Sequence, residues 1–434
     1  MERYSEYKDS GVKWLGQIPR HWEVIKTSRI FSYIGSGTTP KSGSEDYYTQ
    51  NGIPFLQTGD LNDGYVTDTS KRITEKALRD TNLKIHPKGS LIVAMYGATI
   101  GKLGILDIDA TVNQACCVLT KSPIIETKFA FYTYLAAKKD LIFQSKGGGQ
   151  PNISQDTIRS ERIPVPPIKE QEAIANYLDA ATSKIDEAIA QQQKMIDLLN
   201  ERKHIIINST VTKGLDPNVP MKDSGVEWIG EVPEHWEVRR LSSLGSFSKG
   251  GNISRDDLQK YGKGAILYGD IYTKYNIQTL IVKNHISEKV AKKSMRISKG
   301  DILMTGSGET KEDIGKTIVF NGEEAFIGGD VILFRQEKNN STFLSYALNS
   351  QYAKGYRYRE SKGEIIVHIY ASSLKRLFLA LPPIEEQIKV VKYLDGQIDA
   401  IESEIGVINK QISLLQERKQ IIINDAVTGK VKVV

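Results

Sequence analysis

The chain of 434 residues is 40% hydrophobic and 25% charged, with 58 Lys plus Arg against 52 Asp plus Glu and a formal charge of +6. No apolar run approaches the roughly 18 residues of a membrane span, and Met1 to Glu6 open polar and charged, with no apolar signal region behind them. These features point to a cytoplasmic protein of roughly two to four domains, and the basic excess suits a polyanionic partner without identifying one.

The first segment runs Tyr7-Lys8-Asp9-Ser10-Gly11-Val12-Lys13-Trp14-Leu15-Gly16 and closes with Pro19, His21 and Trp22. Residues 25–165 then read as a mixed α/β domain. Short apolar runs bounded by glycine and charge mark strands at residues 52–56 and 88–93, a further strand is expected over 110–119, and a helix over 129–139. Cys116 and Cys117, the only two cysteines, are sequence neighbours in an apolar run and read as reduced core residues. A long helix should start just after Pro166-Pro167, because proline lacks an amide donor and disfavours helix in the residue before it. Its apolar residues fall in a heptad register at Leu178, Thr182, Ile185, Ile189, Gln192, Ile196 and Leu199, with two polar interruptions. It should end near Lys213-Gly214, giving a rod of about 60 Å at roughly 1.5 Å per residue.

Everything then recurs. The opening segment returns as Met221-Lys222-Asp223-Ser224-Gly225-Val226-Glu227-Trp228-Ile229-Gly230 with Pro233, His235 and Trp236, so all four tryptophans lie in the repeated openings. Their presence in both copies argues for packing rather than recognition, and neither histidine has the partners of a metal site. Residues 239–381 repeat the α/β pattern, with strands at 264–268, 299–304 and 325–335 and a helix over 341–352. Pro382-Pro383 precede a second long helix whose seam, Leu394, Ile398, Ile401, Ile405, Ile408, Ile412 and Leu415, is unbroken. The helix motifs of the two copies stand 216 positions apart, from Pro166 to Pro382. Near-constant ends with divergent middles suggest a symmetric frame for two separately specialised modules. The expected division is 1–165, 166–214, 215–381 and 382–434. Ile205-Ile206-Ile207 and Ile421-Ile422-Ile423 exceed what a seam can bury, so some of these side chains should meet a partner.

Three polar, Gly-rich loops in each middle are candidate contacts for a polyanionic partner, nucleic acid among them. The first holds Ser36, Thr38, Thr39 and Lys41, aligned with Lys249, Asn252 and Arg255. The second holds Tyr96, Thr99 and Lys102, aligned with Lys311. The third holds Lys146, Gln150 and Asn152, aligned with Arg357, Arg359 and Lys362. Glycine permits close backbone approach, Gln and Asn can bond adenine bidentately, Arg can bond guanine, and Lys usually meets phosphate. Catalytic readings fail. Gly315-Lys316-Thr317 lacks the glycine a phosphate loop needs five positions earlier, where Thr310 stands. No Asn-Pro-Pro-Tyr or Asp-Pro-Pro-Tyr run is present, and no His, Cys and acid cluster suggests hydrolysis.

The Asp-Ser-Gly-Val-x-Trp-x-Gly-x-x-Pro-x-His-Trp opening, the Pro-Pro-Ile-x-Glu-Gln helix start and the Leu-Leu-x-Glu-Arg-Lys helix end, each present twice, resemble the specificity subunit of type I restriction-modification systems. The resemblance implies two target-recognition domains separated by a long antiparallel two-helix coiled coil with pseudo-two-fold symmetry, each domain reading half of a bipartite double-stranded DNA site. It further implies a noncatalytic chain that binds two methyltransferase subunits and is joined by restriction subunits. S-adenosylmethionine would then sit on the methyltransferase subunit, and ATP and magnesium on the restriction subunit. Two competing expectations are a coiled-coil adaptor that holds two protein ligands and never meets DNA, and a self-sufficient DNA-modifying enzyme with an unrecognised site.

Overall fold

The computed structural model describes residues 2–145 and 152–433. Two compact units emerge, one formed by residues 1–192 with 410–434 and the other by 193–409. No helix among the described residues is long and apolar enough to cross a membrane.

In the first unit Tyr7–Asp9 pairs antiparallel with Gln17–Pro19, and the turn between them passes through Gly11 and Gly16, both at positive φ. The central sheet has the order Ile34–Ser36, Cys116–Leu119, Leu91–Ala94, Leu103–Leu106, Gly64–Val66. The helix Thr127–Phe143 buries Phe129, Tyr134 and Leu141 in the same core as Leu91, Val93 and Leu103. A smaller sheet orders Thr111–Val112, Tyr48–Leu56 and Lys71–Ile73. Arg162–Val165 returns antiparallel to Glu23–Lys26 and delivers the chain to the first long helix, Ile168–Lys213. The second unit repeats this plan. Its central sheet runs Ser246–Lys249, Val331–Arg335, Asp301–Thr305, Thr317–Phe320, Gln278–Thr279, and Phe378–Leu381 pairs with Glu237–Arg240 before the second long helix, Ile384–Val427.

Two expectations need correction. The single strands expected over 110–119 and 325–335 are each two strands in different sheets, Thr111–Val112 with Cys116–Leu119 and Ala325–Ile327 with Val331–Arg335. The breaks fall at Asn113-Gln114-Ala115 and Gly328-Gly329-Asp330, turn-forming residues inside apolar runs. The helix expected over 341–352 is also two, Ser341–Asn349 and Gln351–Glu360. Ser350 takes an extended conformation between them and donates its hydroxyl to the Ala347 carbonyl, a local bond that competes with helix continuation.

The repeated motifs meet at a buried tryptophan in each unit. Glu170, in the first turn of its helix, accepts hydrogen bonds from Trp22 Nε1 at 3.1 Å and from the Tyr4 hydroxyl, and its other oxygen lies 2.9 Å from His21 Nε2. Glu386 repeats this with Trp236 Nε1 at 3.2 Å and His235 at 2.9 Å. The next residue secures the helix start: Gln171 donates to the Pro166 and Ile124 carbonyls, and Gln387 donates to the Pro382 carbonyl and Asn339. Trp22 and Trp236 are wholly buried. Against them pack Gly429 and Gly214, left-handed residues just past the long helices (φ 70° and 76°). A Cβ on Gly429 would fall 2.3 Å from Pro19 Cδ.

The seam residues are buried or half-buried along both helices. In the first unit Leu178 shares a core with Ile423 and Val427, while Asp186 bonds Lys419 at 2.7 Å. As one helix advances the other retreats, so the pairing is antiparallel. In the second unit Lys203 bonds Glu402 at 2.7 Å, and Ile207 and Val211 share a core with Val390 and Leu394, again antiparallel. The two ion pairs are repeat equivalents. Asp179 and Asp395, from the repeated Tyr-Leu-Asp, accept the hydroxyls of Tyr132 and Tyr346 at 2.8 and 2.6 Å and fasten each helix to its α/β half.

Glu170→Ala should strand Trp22 Nε1 and the Tyr4 hydroxyl and cost about 1–3 kcal/mol, the penalty of an unsatisfied buried donor. Glu386→Ala, with one partner fewer, should cost less. Chemical denaturation of the two variants measures the difference, and equal losses would contradict the assignment.

Candidate nucleic-acid interface

The three loops singled out in each half are contiguous, because the strand-breaking segment stitches them together through main-chain hydrogen bonds. In the first half Gly37 N donates to Asn113 O, Met95 N to Ala115 O at 2.8 Å, and Ile153 N to Met95 O at 2.7 Å. In the second, Gly250 N donates to Val331 O, Gly306 N to Asp330 O at 2.7 Å, and Ile369 N to Gly306 O at 2.9 Å. The bonds made by the second and third loops are equivalent in the two halves, while Gly250 binds the first residue of the following strand where Gly37 binds the break itself. Glycine is required within it: a Cβ on Gly37 would stand 1.6 Å from Val112 O, and one on Gly250 1.8 Å from Gly328 O. These glycines let loop approach loop, a use distinct from the approach to DNA expected of them.

All four segments meet in the first half. Thr39 donates its hydroxyl to Gln114, the Gln114 side chain neighbours the Tyr96 hydroxyl, and Tyr96 forms a backbone bridge with Asn152. Partial burial raises the Tyr96 phenol above its ordinary pKa, so it remains a neutral donor and acceptor. Ser36 and Lys41 are exposed, and Thr38, Thr99 and Lys102 are half-buried at the turn. Lys146 and Gln150 lie outside the described residues. Gln114 escaped sequence reasoning because the segment around it was read as one strand. The signal was available, since Asn113-Gln114 is the one polar interruption between Val112 and Val118.

In the second half Gly329 stands where the first has Gln114, and a cavity of about 890 Å³ opens there, lined by Asn252, Arg255, Tyr272, Gly308, Thr310 and Gly329. Lys249 and Lys362 are exposed and Lys311 is half-buried. Arg359 lays its guanidinium over the Trp228 ring at 5.4 Å. Arg357 is misplaced by the sequence reading: it is 1% exposed and donates to the carbonyls of Ile314 and Leu348. Burial pushes its pKa down to about 10. Gly315 at φ 74° leaves room for it, since a Cβ there would sit 2.4 Å from Arg357 Cδ. Neighbouring Lys316 is spent on the carbonyls of Tyr272 and Tyr275, so Gly315-Lys316-Thr317 is a structural turn.

Comparison with known proteins agrees with this duplicated site. The sequence model of the type I restriction modification DNA specificity domain matches twice, at residues 19–196 and 233–413. The chain belongs to that family. The specificity subunit of the type I restriction enzyme MjaVIII of Methanocaldococcus jannaschii is 26% identical, over 98% of this chain and 97% of its own. The EcoKI specificity subunit of Escherichia coli is 20% identical, over 96% of this chain and 90% of its own. A chain solved in work on complex assembly and conformational transition of the type I R-M system shares the fold, with a TM-score of 0.71 at 17% identity, covering 95% of this chain and 99% of that one. In this member of the specificity family, each matched domain thus carries one stitched loop cluster.

Arg357 is buried, and its guanidinium is spent on main-chain carbonyls of its own half. Replacing Arg357 with Leu should therefore leave DNA affinity unchanged, whereas Arg255→Ala, on the exposed loop, should weaken it. Titration of both variants against the same duplex, alongside their melting temperatures, separates a core residue from a DNA contact.

Proposed function

We propose that each half reads one part of a bipartite double-stranded DNA sequence, that the chain is itself noncatalytic, and that its long helices set the spacing and hold two methyltransferase subunits, with restriction subunits joining to cleave. The observation that carries this reading is the loop cluster built twice on one main-chain frame with different side chains. A retained frame with divergent loops diversifies recognition. Amide and hydroxyl groups in the first cluster suit base edges, and the exposed lysines around both suit phosphates. The chemistry would belong to the partners: S-adenosylmethionine on the methyltransferase, ATP and magnesium on the restriction subunit, in the cytoplasm.

The helices also offer a surface for those partners. Ile207 and Ile423 of the isoleucine triplets are buried and Ile206 and Ile422 half-buried, but Ile205 and Ile421 are 59% and 51% exposed. Seven residues before each lies an exposed leucine, Leu198 at 50% and Leu414 at 55%, which that spacing places on the same helix face. Two equivalent apolar patches fit two copies of one subunit.

Leu198→Asp with Leu414→Asp should abolish co-purification of the methyltransferase subunit, and either substitution alone should leave one copy bound. The wild-type complex should bind its target DNA with an affinity that falls by roughly a thousandfold or more between 50 and 200 mM salt. Normal assembly of the double variant would refute the docking surface. Salt-independent binding, or none, would refute the DNA reading.

A further inference from the structure

The two clusters can be compared position by position, because the main-chain bonds that stitch them set the register. Ile153 and Ile369 are both buried, and their amides donate to Met95 O and Gly306 O, which are equivalent residues. The residue before each is thus held at the same place in the two halves, beside the second loop: Asn152 bridges Tyr96, and His368 follows Val367 in the short strand that pairs Val367–His368 with Ser307–Gly308. Tyr96 and Ser307 are themselves equivalent. The backbone is kept while both facing side chains have changed, which is the behaviour expected of a position that sets sequence preference rather than fold.

We propose that His368 is a specificity-determining residue of the second half, presenting its Nε2 to a base edge where Asn152 presents an amide in the first. This rests on reading the halves as DNA-recognition modules. Backbone bonds in both directions with Lys362, at 3.0 and 2.8 Å, fix the His368 main chain. The ring is oriented by Ser307, whose Oγ lies 2.9 Å from Nδ1 and which is itself buried. In this proposal the serine hydroxyl is assigned as donor to Nδ1, which leaves the ring proton on Nε2. Among the described residues Nε2 has no hydrogen-bond partner, and the ring is half-exposed. Beside it the exposed Tyr370 ring lies near-parallel, 20° off and 6.5 Å away, an aromatic edge that closes the site on one side.

The two side chains offer different hydrogen bonds. An asparagine amide donates and accepts together and so matches the N6 and N7 of adenine; a single N–H matches an edge that only accepts, as N7 and O6 of guanine do. The second half-site should accordingly contain a guanine whose recognition depends on His368 and, through it, on Ser307 as a positioning residue.

The test uses the whole restriction-modification complex, with methylated positions mapped by sequencing DNA from cells that carry it. His368→Asn should lower the preference for guanine at one position of the second half-site by roughly tenfold or more, the size of a lost base contact, and leave the first half-site unchanged. Ser307→Ala should relax the same position to a smaller degree. Should methylation by a variant be too weak to map, the assembled complex is titrated against duplexes carrying each base at each second-half position. Loss of discrimination confined to one guanine supports the assignment. An unchanged second half-site, or an equal loss at every position, overturns it while leaving DNA reading intact; a wild-type complex that discriminates no sequence overturns the DNA reading itself.

Discussion

The structure depends on a carboxylate placed one turn into each long helix. Glu170 and Glu386 each hold a buried tryptophan by its only hydrogen-bonding atom and a histidine beside it. A buried indole N–H without an acceptor would be costly, so helix start and opening segment must form together. Around each tryptophan three distant parts of sequence meet: in the first unit the opening segment, the start of the first helix and the end of the second; in the second unit the repeated opening, the start of the second helix and the end of the first. This explains why the Pro-x-His-Trp and Pro-Pro-Ile-x-Glu-Gln motifs both occur twice: neither can be satisfied without the other.

Above that invariant base, recognition is free to vary. The strand-breaking segments leave one sheet and enter another, and in crossing they offer main-chain carbonyls that fasten the other loops. Backbone groups do the fastening, so side chains at Gln114 and Gly329, or Asn152 and His368, can change without dismantling the cluster. Only glycine is fixed, at Gly37 and Gly250, where carbonyl oxygens press against the Cα. The second half has used that freedom to open a cavity where the first has a glutamine.

Periodicity revealed the long helices well. Heptad spacing identified the seam from Leu178 to Leu199 and from Leu394 to Leu415, prolines marked both helix starts, and repetition marked the tryptophans as packing residues, because these features depend on local pattern and duplication. What sequence reading missed depends on tertiary context. The runs at 110–119 and 325–335 look like single strands since their apolar residues continue on both sides of the break; only the pairing of each piece with a different sheet exposes the loop between them. Arg357 looked like a surface cation, yet Gly315 and the carbonyls of Ile314 and Leu348 give it a buried berth that no local pattern announces. His368 was missed although the match of Lys146-Gly147 with Lys362-Gly363, extended at the same 216-position offset, pairs it with Asn152 and pairs Ile153 with Ile369; the amide bonds of the two isoleucines agree with that pairing.

The central claim is that one frame carries two interchangeable reading modules. Replacing residues 239–381 by a second copy of residues 25–165 tests it most directly, with the methylated sequence determined in cells that carry the partner subunits. The account predicts methylation of an inverted repeat of the first half-site, with the wild-type spacer length. A stably assembled complex that still methylates the original asymmetric sequence would contradict it.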